Sequence, residues 1–118
     1  MTGKYHAAEN ALTEALASWT GVIERFPADS SAIRSLVFIY ADIASLHRQF
    51  AATEIDRTAV EKRNGQACDA YRSSIQFIEK MSSGENKIPR RYPWSPDPDT
   101  IRNRYQEYCV AGSDRASD

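Results

Sequence analysis

Apolar residues recur every three or four positions along most of the chain, which is the spacing of one face of an α-helix. The first stripe predicts a helix over about 4–26 that closes on Phe26 and ends at Pro27. A second helix is predicted from Asp29 or Ser30, both good N-caps, to about residue 50. Phe38 lies off the main stripe of this second helix. We therefore expect the second helix to be covered on several sides and to be the central one.

The third stripe predicts a helix that starts near 53–56 and ends near 82–84. Polar residues interrupt its pattern at 62–66, where Gly65 lies. A turn between two short helices is one interpretation of this interruption. One continuous helix is favoured, because a lone glycine costs only about 1 kcal/mol against alanine. We expect Gly65 to permit close approach of a neighbouring backbone.

Residues 85–96 show no helical periodicity and are rich in proline and charge. Asp97 followed by Pro98 is a good N-cap and first-turn pair, and it predicts a fourth helix that runs to about Val110. The inward side chains of this helix are predicted to be Ile101, Tyr105, Tyr108 and Cys109. The predicted fold is all-α: a compact bundle of about four helices, with a proline-rich loop before the last. We assign 1–112 to a single domain and 113–118 to a flexible C-terminal tail.

The composition limits the number of domains and the classes of function that the chain can have. The chain has 118 residues, which suits one small domain, and 15 basic against 16 acidic side chains give it a formal charge of -1. Binders of nucleic acid or of anionic membranes usually carry a basic excess, so we expect neither as a partner. The N-terminal residues do not form a signal peptide, and no apolar run approaches the roughly 20 residues of a membrane span. These features predict a cytoplasmic protein.

The two cysteines, Cys68 and Cys109, each lie on the apolar face of a predicted helix. No CxxC pattern is present, so we predict no metal site at the cysteines. A single disulfide would suit an exported protein. For a cytoplasmic chain we expect two buried free thiols.

Candidate catalytic residues are few, and we predict a protein that is not an enzyme and has no cofactor. His6 and Glu9 have a spacing that places two metal ligands on one helix face, but matching carboxylates on partner helices do not appear. His47 falls on the inner stripe of the second helix, where a core histidine is the expected outcome. Asp97 and Asp99 are explained by helix capping and by the helix dipole.

The segment 87–96 is the most unusual part of the sequence. Trp, Tyr and Arg are the side chains that most often anchor protein interfaces, and prolines lower the cost of ordering them. The predicted partner-binding residues are Arg90, Arg91, Tyr92 and Trp94. In the alternative, the two aromatic side chains fold back over the end of the bundle and the arginines are solvated. Arg102 and Arg104 add positive charge after this segment, so we expect the partner here.

Three short motifs follow one another along the chain. They are Arg25, Phe26 and Pro27; Ile55, Asp56, Arg57, Thr58, Ala59 and Val60; and Asp97, Pro98 and Asp99, followed by Tyr105, Tyr108 and Gly112. The order of these motifs resembles that of small all-helical immunity proteins, which protect bacteria from type VI secretion effector toxins. The segment 85–96 looks like an insertion into that pattern.

This resemblance implies a stoichiometric inhibitor that binds a cognate toxin acting in the cytoplasm and occludes its active site. A second resemblance, of Trp19 to Tyr40 to the junction of two tetratricopeptide repeats, supports an alternative function. That alternative is a helical adaptor or regulatory subunit that binds peptide segments or self-associates. No second copy of the pattern occurs at the 34-residue period of such repeats.

Overall fold

The computed structural model describes residues 2–82 and 98–110, and it confirms the predicted all-α fold with four helices. Within these two ranges no strand occurs, and no helix is long and apolar enough to cross a membrane. The elements are α1 (Thr2–Arg25), α2 (Ser30–Thr53), α3 (Arg57–Ser82), α4 (Pro98–Tyr105) and a π-helical turn that continues α4 (Gln106–Val110).

Aspartate side chains define where α2 and α3 begin. Asp29 Oδ1 accepts a hydrogen bond from the Ala32 amide at 2.9 Å, and Asp56 Oδ2 accepts one from the Ala59 amide at 3.0 Å. Each carboxylate thereby satisfies an amide that has no partner within its helix. The predicted N-cap at Asp29 is confirmed. The predicted cap at Asp97 lies outside the described residues.

Phe26 was expected on the inner face of the first helix, and this expectation is wrong. The helix ends at Arg25, and Phe26 begins the turn that leads through Pro27 to Asp29, where 62% of its surface is exposed. The side chains described for α1 are half-buried or exposed, and α1 packs against α2. α2 packs against both α1 and α3 and is therefore the central helix, as predicted.

The core lies between α2 and α3. Tyr71 and Ser74 of α3 have no exposed surface, and the Ser74 hydroxyl donates to the carbonyl of Val37 at 2.8 Å. Phe38, off the main stripe of α2, is buried as expected. Small side chains on both helices permit close packing, namely Ala32, Ala41, Ala44, Ala67 and Ala70.

α3 runs without interruption through Gly65, so the prediction of one continuous helix is confirmed. The expected close approach of a neighbouring backbone is wrong. A Cβ atom added at Gly65 would meet nothing within 4 Å. Space therefore does not require a glycine at this position.

The two cysteines form a disulfide between α3 and the π-helical turn, and this corrects the expectation of free thiols. Their Cα atoms lie 5.7 Å apart, although 41 positions separate Cys68 from Cys109 in the sequence. Ile101 of α4 is fully buried against the same core. The expectation failed because helix faces in a single sequence do not reveal which two positions meet in space.

We expect Gly65→Ala to raise the free energy of unfolding by about 0.5–1 kcal/mol. Alanine reduces the conformational entropy of the unfolded chain, and its methyl group meets open space in the fold. Urea denaturation followed by circular dichroism measures the change. A loss of stability would contradict the open environment assigned to this glycine.

Replacing both cysteines by serine is expected to lower the free energy of unfolding by about 4 kcal/mol, from the entropy of closing a loop of this length. Denaturant titration of wild type and Cys68→Ser/Cys109→Ser measures the difference. Adding dithiothreitol should destabilise the wild type similarly and leave the double variant unchanged. Equal stability of the two proteins without reductant would contradict the assigned bond.

Candidate functional site

The four residues predicted to bind a partner, Arg90, Arg91, Tyr92 and Trp94, lie outside the described residues. Their role therefore stays a prediction. The proposed tail at 113–118 also lies outside that part of the chain. Two polar clusters within the described helices remain as candidate sites, one at α1 and one at the π-helical turn.

The first cluster joins three helices through Arg63 of α3. Its guanidinium Nη1 donates to Glu9 Oε2 of α1 at 3.0 Å and lies 3.1 Å from His47 Nδ1 of α2. The same guanidinium stacks over the Phe50 ring, 4.1 Å from its centroid. A cation is thus balanced by one carboxylate and supported by one aromatic face, and its contacts link α1, α2 and α3.

His47 is 8% exposed and is neutral in this cluster, as expected for a core histidine. Burial lowers the pKa of its imidazole, the nearby Arg63 lowers it further, and Glu9 opposes both. A guanidinium carries only donors, so the adjacent Nδ1 must accept and the imidazole proton lies on Nε2. The contacts of Arg63 with Glu9 and His47 therefore give this cluster a structural role, in which it links α1, α2 and α3.

His6 and Glu9, the pair considered as metal ligands, belong to this same cluster. His6 Nδ1 lies 3.7 Å from Glu9 Oε1, while Arg63 binds the other carboxylate oxygen. The described part of the chain holds no group of three or more His, Cys, Asp or Glu side chains arranged for a metal ion. Glu9 is engaged in an ion pair, so its contacts do not indicate a metal ligand.

The second cluster is an open groove of about 600 Å³, which we call the arginine groove. It lies where the end of α2, the start of α3 and the π-helical turn meet. Its lining combines two cations, polar side chains and a few short apolar side chains. The lining residues are Ser45, Arg48, Gln49, Ala51, Ala52, Val60, Asn64, Arg104 and Tyr108.

Arg48 is held in position by two tyrosines. Its Nη1 donates to the hydroxyl of the fully buried Tyr71 at 3.2 Å, and its guanidinium stacks over the Tyr108 ring at 4.3 Å from the centroid. The Tyr108 hydroxyl donates in turn to Asn64 Oδ1. One wall of the groove is therefore ordered by contacts within the protein.

The electrostatics of Tyr108 agree with this arrangement. Burial raises the pKa of its phenol above the usual range, and the adjacent Arg48 partly opposes that rise. The hydroxyl is consequently protonated at neutral pH and able to donate to Asn64. Cys109, the next residue, bonds to Cys68 and so fixes the turn that carries Tyr108.

Arg48 and Arg104 are half-buried, and neither pairs with a carboxylate in the described ranges. The described residues that line the groove include no acid. Four other arginines, namely Arg57, Arg63, Arg72 and Arg102, make ion pairs to carboxylates. Arg25 and Arg34 also make none within the described ranges, but neither of them lines the groove. The arginine groove therefore presents two positive charges without a negative partner among the described residues.

Sequence reasoning found part of this groove. Arg104 belonged to the basic residues expected to mark a partner, and Tyr108 was predicted to face inward. Arg48 was missed, because a single arginine in a long helix carries no signal of its own. Its role becomes visible only when Tyr71 and Tyr108 are brought beside it.

We expect the free energy of unfolding to fall as pH is lowered from 7 to 5. The pKa of His47 is lowered in the fold, so the unfolded chain takes up a proton below about pH 6.5 while the folded imidazole resists it. Denaturation curves across this range should show a flatter pH dependence for His47→Gln. Equal slopes in wild type and His47→Gln would contradict this assignment.

Comparison with known proteins gives no relative for this chain. No family model, no curated protein and no solved structure matches it. The arginine groove is thus interpreted from its own geometry, and the similarity to immunity proteins rests on the short motifs of the sequence.

Proposed function

We propose that this chain is a non-catalytic binding protein that neutralises a partner protein, a bacterial toxin or effector domain, by occluding its active site. The observation that carries the proposal is the pre-positioned Arg48 in a groove that also holds Arg104, where neither arginine pairs with a carboxylate among the described residues. Toxin inhibition as the purpose of binding comes from the resemblance to immunity proteins.

The arginine groove has the composition of a protein-binding surface. Arginine and tyrosine are enriched among the residues that dominate binding energy at interfaces. Arg48 is ordered before any partner arrives, which lowers the entropy lost on binding. A rigid cation beside an aromatic ring supports recognition of a partner.

The contacts of the Glu9, His47 and Arg63 cluster support a binding protein over an enzyme. His47 and Glu9 are the type of groups that act as general acids and bases, but here each contacts Arg63. The buried histidine and the ion pair hold the helices together. Glu9, His47 and Arg63 are therefore assigned to the stability of the fold.

The disulfide bears on the compartment in which binding takes place. The sequence predicted a cytoplasmic protein, whereas disulfides persist in oxidising compartments and are rare in the cytosol. The bond therefore favours an oxidising compartment over the cytoplasm for both protein and partner.

Co-expression with the product of the adjacent gene tests the proposal. The neighbour should be toxic when expressed alone, this chain should restore growth, and the two should co-elute as a stable complex. The experiment needs two arms, one with both proteins in the cytoplasm and one with both directed to the periplasm. We expect full protection in the arm in which the Cys68–Cys109 bond forms.

A neighbour that is harmless and does not bind in either arm would contradict the proposal. Weak binding to several unrelated peptide segments, without protection, would instead support the helical adaptor. The proposed anchors Arg90, Arg91, Tyr92 and Trp94 can be compared in the same assay, where Trp94→Ala and Arg91→Ala are expected to weaken the complex without unfolding the chain.

A further inference from the structure

We infer that the arginine groove binds carboxylate side chains, so that the segment of the partner seated there is acidic. This inference rests on the proposed function, because it names the chemistry of the partner at that site. It is carried by two guanidinium groups that pair with no carboxylate in the described part of the chain, by their half-buried environment and by the remaining polar groups of the lining.

The two arginines set the charge of the ligand. A half-buried cation has lost part of its hydration and gains most from an anion that replaces the missing water. Carboxylates match the planar guanidinium and form paired, charge-assisted hydrogen bonds with it. Arg48 is already engaged by Tyr71 through Nη1, which leaves its other N–H donors for a ligand.

The rest of the lining suits an amino-acid side chain. Ala51, Ala52 and Val60 provide an apolar surface for the methylene groups of a glutamate. Asn64 accepts from Tyr108 through Oδ1, so its amide N–H groups are the part still able to donate. The lining thus combines hydrogen-bond donors with short apolar side chains, a combination that fits a carboxylate on an aliphatic stem.

The charge balance of the chain favours an acidic protein segment over nucleic acid. Nucleic-acid binding draws its affinity from many phosphate contacts spread over a broad basic surface. This chain has a formal charge of -1, and the groove offers a local pair of cations. A few carboxylates match two arginines better than a continuous phosphate backbone does.

Neighbouring arginines on α4 offer a matched control. Arg104 lines the groove, whereas Arg102, two residues earlier on the same helix, pairs with Asp99 at 3.7 Å. Replacing either by glutamine removes one positive charge from the same helix. Only the Arg104 change removes it from the groove.

The test uses a fluorescein-labelled hexaglutamate peptide with both ends blocked, titrated with the full chain and followed by fluorescence anisotropy. Hexaglutamine and single-stranded oligothymidylate serve as competing probes. We expect binding of hexaglutamate that weakens as salt rises, and no binding of hexaglutamine. Arg104→Gln should weaken the binding about fivefold, while Arg102→Gln leaves it close to that of wild type.

Three results would overturn the inference: no binding of hexaglutamate, equal weakening by the two variants, or tighter binding of oligothymidylate than of hexaglutamate. Circular dichroism of both variants establishes that they fold. A partner that is still neutralised by Arg104→Gln, with hexaglutamate binding unaffected by that change, would leave the proposed function standing and remove the acidic segment. If instead the chain binds hexaglutamate through the groove but protects from no toxin, the acidic-segment inference would stand and the proposed function would fail.

Discussion

The contact between α2 and α3 buries Tyr71 and Ser74 completely, and the remaining described elements are attached to this pair of helices. α1 packs on α2, and α4 packs on α3. Tyr71 has a second task, because its hydroxyl accepts from Arg48 at the edge of the core. The same buried side chain therefore stabilises the fold and positions a cation at the surface, so the arginine groove is coupled to the packing of the core.

The disulfide adds the other half of the groove. α1, α2 and α3 follow one another through connections of a few residues, but α4 comes after a long stretch of chain. A covalent bond from Cys109 to Cys68 fixes the turn that carries Tyr108, whose ring supports Arg48. Core packing thus positions Arg48, and the disulfide positions Tyr108 beside it. Oxidation state is consequently a condition for the groove as described, which links the compartment of the protein to its binding surface.

Local signals in the sequence were enough for the helices but not for the contacts between them. Helical spacing identified α2 and α3, the cap at Asp29 marked the start of α2, and the position of Phe38 off the main stripe identified the central helix, because these properties depend on residues close in sequence. The disulfide, the Arg63 link and the stacking of Arg48 on Tyr108 join residues far apart, and nothing local encodes them. Phe26 shows the same limit at a helix end, where one residue past the last turn changes its exposure. The predicted anchors at 90–94 remain predictions.

The central claim is that Arg48 and Arg104 act together as one carboxylate-binding site. Nuclear magnetic resonance of the arginine Nε–Hε groups, recorded while unlabelled hexaglutamate is added, observes the guanidinium groups themselves. We expect the signals of Arg48 and Arg104 to shift together and to saturate at the same peptide concentration. The signals of Arg57 and Arg72, which already pair with carboxylates, should not shift. Similar shifts for all arginines, or a shift of Arg104 without Arg48, would contradict the central claim.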